Sequence, residues 1–198
     1  MSFTETYLAE TARILESLDR AALERMATAL ASARDSGGRL FVLGVGGSAA
    51  HASHAVNDFR KLCEFEAYTP TDNVSELSAR VNDDGWESVF AAWLAGSRLR
   101  DEDAVLVFSV GGGDAERNVS ANLVRALEYA QEAGARIFGV VGRDGGFTAR
   151  VAEECVVIPP LVHERVTPHT EGLCAVVWHL LVSHPGLQRR GTHWESML

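Results

Sequence analysis

Three short apolar runs of this chain each empty into a cluster of glycines, and that recurrence limits the possible folds more than any other feature. Leu40-Phe41-Val42-Leu43 leads into Gly44-Val45-Gly46-Gly47-Ser48. Ala104-Val105-Leu106-Val107-Phe108 leads into Ser109-Val110-Gly111-Gly112-Gly113-Asp114, and the run 136–141 leads into Gly142 and Gly145-Gly146. A fourth run, Cys155-Val156-Val157-Ile158, stops at Pro159-Pro160. The runs are continuous rather than alternating, so they read as strands covered on both faces. Helical patterns over 47–63, about 116–133 and 169–183 separate or follow them. Strands alternating with helices predict an α/β fold with a parallel sheet and right-handed crossovers. A weak further strand is expected near 65–69. Ligands of such sheets sit beyond the carboxyl ends of the strands, where all three glycine clusters would lie.

Residues 3–35 read as two helices ahead of the sheet. Leu8, Ile14, Leu15 and Leu18 form one apolar stripe, and Leu23, Met26, Leu30 and Ala31 form another. Asp19 is the expected N-cap between them, and Gly37-Gly38 closes the second. The chain of 198 residues reads as one domain, with a helical arm over 1–36, an α/β core over 37–185 and an irregular tail over 186–198. Its net charge of −9 argues against a nucleic-acid partner, which needs a Lys/Arg surface. No apolar stretch reaches the roughly 18 residues of a spanning helix. The N-terminus lacks the pattern of a signal peptide. The widely spaced Cys63, Cys155 and Cys174 suggest a reducing compartment rather than a disulfide framework. A cytoplasmic location, with neither membrane nor nucleic acid as partner, is the expectation.

The first glycine cluster carries the plainest chemistry. Gly46 and Gly47 allow close backbone approach, Ser48 offers a hydroxyl, and a helix opening there presents free N–H groups to an anion. A simple turn with Ser48 as N-cap would use the same residues. The helix that follows carries His51, His54 and Asp58, the last two sharing one face. The last helix carries Glu171 and His179, again on roughly one face. Two histidines and two carboxylates suit a divalent metal such as Zn²⁺, and suit acid–base chemistry equally well. A surface i,i+4 pair accounts for His54 and Asp58 taken alone. His179 lies within Val176-Val177-Trp178-His179-Leu180-Leu181, so burial with a partner is expected of it. Asn82-Asp83-Asp84-Gly85 reads as a turn.

In order and spacing these motifs resemble the sugar isomerase (SIS) domain proteins, and within them the phosphoheptose isomerases. The likeness covers nearly the whole chain: the helical arm, Gly44-x-Gly46-Gly47-Ser48-x5-His54-x3-Asp58, Val81-Asn82-Asp83-x-Gly85, the 104–114 segment, Gly142-Arg143-Asp144-Gly145-Gly146 and Thr170-Glu171-x7-His179. It implies a three-layer fold with about five parallel strands, and a homotetramer with sites at subunit boundaries. It also implies an enediol isomerisation of sedoheptulose 7-phosphate to D-glycero-D-manno-heptose 7-phosphate, feeding nucleotide-activated heptose. Asp58 and His179 take the catalytic positions. Gly46, Gly47, Ser48, Asn82, Asp83, Ser109, Gly111, Gly112, Gly113, Asp114 and Glu171 match substrate-binding positions. His54, Asp58, Glu171 and His179 match the positions through which some members bind zinc, and no organic cofactor is implied.

The sequence departs from the family pattern in three places. Asp58 stands where Glu is usual, and Glu171 where Gln is usual; the added carboxylate favours a metal or raises a neighbour's pKa. The phosphate loop, usually Ser-Thr-Ser-Gly-Asn-Ser, reads Ser109-Val110-Gly111-Gly112-Gly113-Asp114. Only Ser109 keeps a hydroxyl there, and Asp114 brings a negative charge. The glycines can still form a backbone nest, with Asp114 turned outward as the N-cap of a helix near 116. Ser120 and Asn118, one turn on, can substitute for the missing hydroxyls. Two other readings stay open: a non-catalytic phosphosugar-binding or regulatory protein on the same fold, and an isomerase of another phosphosugar.

Overall fold

A computed structural model describes residues 1–191 of the chain. Helices α1 (Phe3–Glu16) and α2 (Arg20–Asp35) precede strand β1 (Leu40–Leu43). Then come α3 (Gly47–Cys63), β2 (Ala67–Tyr68), α4 (Val74–Asp84), α5 (Val89–Gly96), β3 (Ala104–Ser109) and α6 (Ala121–Glu132). The chain continues through β4 (Arg136–Val141), α7 (Gly146–Val151), β5 (Glu154–Val157) and α8 (Val166–Ser183). The five strands form one sheet in the order β2-β1-β3-β4-β5, and every pairing is parallel.

Alternate residues along each strand divide between two apolar clusters, which is why the runs in the sequence are unbroken. Leu40, Val42, Leu106, Phe108, Phe138 and Val140 pack towards α2, α3 and α8. Phe41, Leu43, Val105, Val107 and Ile137 pack towards α5 and α6 on the other face. The chain leaves β1 for the sheet edge at β2 and returns to β3 on β1's other side, so the topological switch point lies between β1 and β3. The first two glycine clusters flank it.

The arm is two helices, as expected. Ser2 and Glu5 cap each other at the start of α1, and Asp19 accepts a hydrogen bond from the Ala22 N–H at the start of α2. Within the arm the apolar stripe is only partly covered: Ile14 is buried, whereas Leu8 and Leu15 are exposed. A polar network ties α1 to α8. Arg165 donates two hydrogen bonds to the Glu10 carboxylate, at 2.8 and 2.7 Å, and His169 Nε2 lies 3.1 Å from Glu10 Oε2. The Arg165 guanidinium holds the Glu10 carboxyl down at about 2.

Several elements differ from the sequence expectation. The helix expected from 116 begins at Ala121, because residues 114–119 close a loop through paired Asp114 and Val119 backbones. Residues 82–84 are not a free turn but the last turn of α4, ended by Gly85 at φ 84°. Residues 184–191 are irregular yet anchored: Leu187 is buried, its carbonyl accepts from Arg34, and Arg189 N donates to the Leu62 carbonyl at 2.8 Å. His193, Trp194 and Glu195 lie outside the described residues. Among the described residues no helix is long and apolar enough to cross a membrane. Cys63, Cys155 and Cys174 are all free, and burial pushes the Cys63 and Cys155 thiols up to about 12.

Candidate active site

The site has two parts, which share α3. The first is built where α3 and α8 pack together. His54 and Asp58, one turn apart on α3, face His179 on α8. His54 Nε2 lies 3.8 Å and His179 Nε2 4.0 Å from Asp58 Oδ2. One ligand atom from each of the three lies within 4.8 Å of the others. Trp178, buried, supports both imidazoles: its ring centroid is 3.5 Å from that of His179 and 4.7 Å from that of His54.

His179 is not buried, contrary to the sequence expectation. Its side chain is 49% exposed. The apolar run wraps right round α8, so Val176 (45% exposed) and Leu180 (42%) share the open stripe with it. The ring is nonetheless oriented. Nδ1 lies 2.8 Å from the Ala175 carbonyl, which can only accept. Nδ1 therefore carries the hydrogen, and Nε2 faces Asp58.

Two imidazole nitrogens and one carboxylate fit Zn²⁺ or a similar divalent ion, and the backbone bond behind His179 is the usual support of a metal-bound histidine. Glu171 is not the fourth member here. Two turns earlier on α8, its carboxylate lies over Gly47, with Oε1 2.5 Å from where a Cβ on that glycine would sit. His51, one turn before His54 on α3, is close enough to feel both groups. Burial pushes its pKa down, Glu171 opposes this, and His54 and His179 reinforce it.

The second part is a cleft of about 700 Å³ at the switch point. Ser48, Ser109, Gly111, Gly113, Asp114, Ser120 and Glu171 line it, together with Arg117, Arg143, Arg150 and His163. Gly46, at φ 63°, caps α3 without any side-chain hydrogen bond, so the Ser48 hydroxyl is not spent as an N-cap. In the second glycine loop, Ser109 Oγ accepts from Gly112 N at 3.0 Å. The Gly112 and Gly113 carbonyls accept from Thr148 N and Phe147 N, at 2.9 and 2.7 Å. With its carbonyls turned to α7, the loop leaves the Gly111 and Gly113 N–H groups without an acceptor among the described residues. Asp114 does turn aside, but to a different task from helix capping. Its Oδ1 accepts from Glu116 N and Arg117 N, at 2.9 and 3.0 Å. Those bonds, the one from Arg117 foremost, hold its carboxyl below the usual range.

Of the two expected hydroxyl substitutes, Ser120 reaches the cleft, whereas Asn118 donates to Glu87 Oε1 outside it. Asn82 and Asp83 do not join either part: both are exposed at the end of α4, where Asn82 donates to Asp83 at 2.8 Å. The sequence reading missed the arginines. Arg143, directly after a strand and beside Gly142, carried the only local hint.

Comparison with known proteins bears on the fold and the family. Residues 6–142 match the model of the SIS domain family. The chain is 32% identical over 191 residues to the lincomycin biosynthesis protein LmbN of Streptomyces lincolnensis, covering 93% of this chain and 69% of that one. It is 33% identical over 159 residues to the phosphoheptose isomerase of Chlorobium phaeobacteroides, covering 75% of this chain and 67% of that one. The fold superposes on the phosphoheptose isomerase GmhA from Neisseria gonorrhoeae with a TM-score of 0.79 at 24% identity, over 90% of this chain and 95% of that one. With these matches in hand, the chain belongs to the SIS-domain family, within its phosphoheptose isomerase group of enzymes.

Proposed function

We propose that the protein interconverts a phosphorylated ketose and its aldose, with sedoheptulose 7-phosphate as substrate and a D-glycero-D-manno-heptose 7-phosphate as product. The reading rests on one observation above the others: α3 starts at the anion cleft and carries the His54/Asp58/His179 cluster along its length. Ser48 and His54 are separated by about 9 Å along the helix axis, on the scale of an extended sugar chain. Gly46, Gly47, Ser48, Ser109, Gly111, Gly112 and Gly113 hold the phosphate end, and Glu171 lies between the ends, within reach of the sugar hydroxyls.

At the reacting end, Asp58 takes the proton from C1 of the ketose, leaving an enediolate. His179 Nε2, with its free lone pair, takes the O1 proton and passes it to O2. Asp58 returns its proton at C2. C1 is then an aldehyde and C2 a secondary alcohol; no electrons leave the substrate and no co-reactant enters. Positioned acid–base groups of this kind contribute about 10²–10⁴ in rate. A divalent ion held by His54, Asp58 and His179 would occupy the His179 lone pair, and would polarise the substrate oxygens in place of that residue's proton transfer. The family likeness is the basis for proposing a homotetramer whose sites lie at subunit boundaries, in the cytoplasm, and the exposed Val176 and Leu180 beside His179 suit such a boundary.

The test is incubation with sedoheptulose 7-phosphate and related phosphosugars, followed by product analysis. Turnover by the wild type, and a loss of at least about a hundredfold in His179→Ala with an unchanged far-UV spectrum, is the expected outcome. Full activity in His179→Ala ends this assignment. Elemental analysis should find about one divalent ion per chain, lost in His54→Ala; a fully active metal-free protein would reduce the cluster to acid–base work.

A further inference from the structure

The second glycine loop offers one hydroxyl, and it is folded back on Gly112. Something else must match a phosphate's charge if the cleft is to hold one. Three arginines line the cleft. Arg117 is loosely paired, with Nε 3.8 Å from Asp114 Oδ2. Arg143 and Arg150 make no ion pair with any described residue. The cleft's acids are otherwise occupied. Asp114 accepts two backbone N–H bonds, Asp144 Oδ1 accepts from Gly146 N at 3.2 Å, and Glu171 covers Gly47.

The placement of Arg143 is unusual as well. Its φ is 52°, in the left-handed region where glycine costs nothing and a long side chain costs about 1 kcal/mol or more. Its Cδ lies 3.8 Å from where a Cβ on Gly111 would project, so the side-chain stem runs along the glycine loop. Arg150, on α7, sits over the Phe147 ring at 5.6 Å. It is near enough to Asp114 to help hold that carboxyl low.

We propose that Arg143 and Arg150 form the charged half of the phosphate seat, replacing with guanidinium groups the hydroxyls that the 109–114 loop lacks. The inference rests on the phosphosugar reading above and adds the residues that bind the anion. The Gly111 and Gly113 N–H groups supply the floor of the seat, and Ser48 and Ser120 supply hydroxyls. The two arginines supply planar, charge-assisted donors suited to a phosphate dianion. Because both arginines are exposed, binding should weaken steeply with salt.

The test uses the full-length protein, with inorganic phosphate as the probe in titration calorimetry at low salt, alongside kinetics on sedoheptulose 7-phosphate. Arg143→Gly and Arg150→Gln should each weaken phosphate binding about tenfold or more, and raise KM by more than they lower kcat. Arg150→Lys should recover part of the loss. Arg143→Gly should melt no lower than the wild type, since glycine relieves the backbone, so its loss of binding is not a loss of fold. Arg25→Gln, on α2 far from the cleft, should leave phosphate affinity unchanged. Unaltered phosphate affinity in both cleft variants, equal weakening in Arg25→Gln, or no phosphate binding by the wild type overturns the seat. If phosphate binding depends on the arginines but no ketose phosphate turns over, the seat stands and the isomerase reading falls. If turnover is robust and KM ignores both arginines, the reverse holds.

Discussion

The two glycine-rich turns that flank the switch point look alike in sequence, and the structure gives them opposite work. In the first, glycine makes room for a side chain and leaves open space. Gly46 turns the chain at φ 63° with nothing near its missing Cβ, and Gly47 lies under the Glu171 carboxylate. In the second, glycine makes room for another stretch of backbone. A Cβ on Gly112 would lie 2.0 Å from the Gly145 carbonyl oxygen, and the Thr148 hydroxyl donates to the Gly112 carbonyl at 2.7 Å. The first turn is thus open and the second is docked. A glycine cluster after a strand says that something approaches closely; whether that is ligand or chain depends on what the neighbouring strand delivers.

The largest effect that would break this contrast is on stability. Gly112→Ala combines a positive φ with overlap against immobile backbone, so it should cost more than about 3 kcal/mol. Urea denaturation measures it, and a variant as stable as the wild type would mean the second turn is not docked. Gly47→Ala sharpens the other side. The overlapping atoms belong to a flexible side chain and alanine favours a helix, so stability should move by less than about 1 kcal/mol. Displacing Glu171 from the cleft should still lower kcat/KM about tenfold, equivalent to about 1.4 kcal/mol. Greater unfolding in Gly47→Ala than in Gly112→Ala would invert the comparison.

The smallest effect concerns what keeps α8, and with it Glu171, over the first turn. Glu10 has its folded pKa lowered to about 2 from an ordinary value of 4.5. A carboxylate lowered in this way contributes stability above its unfolded value, and that contribution fades as pH falls from about 4.5 towards 2. Glu10→Gln should therefore flatten the acid limb of a stability–pH curve while changing its neutral region by a nearly constant amount. An acid limb identical to that of the wild type would remove Glu10 from this role.

Much of this architecture was legible because the parallel sheet writes its burial directly into the chain. The strands at 40–43, 104–109 and 136–141 sit where the apolar runs predict. Asp58 and His54 share one face of α3 by spacing, whereas His179 was grouped with them through the family resemblance, and the packing of α3 on α8 brings the three together. Other features had no local signature. α5 is apolar almost throughout, so it shows no helical stripe, and α7, with six residues, is too short for periodicity to register. His179 was expected to be buried because an unbroken apolar run hides which stripe faces the sheet. Glu171 was expected beside His179 because the family resemblance groups them as ligands, although eight residues of helix separate them by about 12 Å along the axis. Arg143 and Arg150 are separated in sequence from the loop they line.

By itself the sequence determined the layer order of the fold and the residue types at both ends of the site, since each follows from the spacing of neighbours along one element. Tertiary structure alone decided that the first glycine turn lies open and the second is docked on α7, that Asp114 turns aside, and that Arg143 and Arg150 reach the cleft. The physical reason is that these outcomes depend on contacts between segments brought together only when β1, β3 and β4 align. A glycine's spare volume and an arginine's unpaired charge acquire their meaning from what stands opposite them.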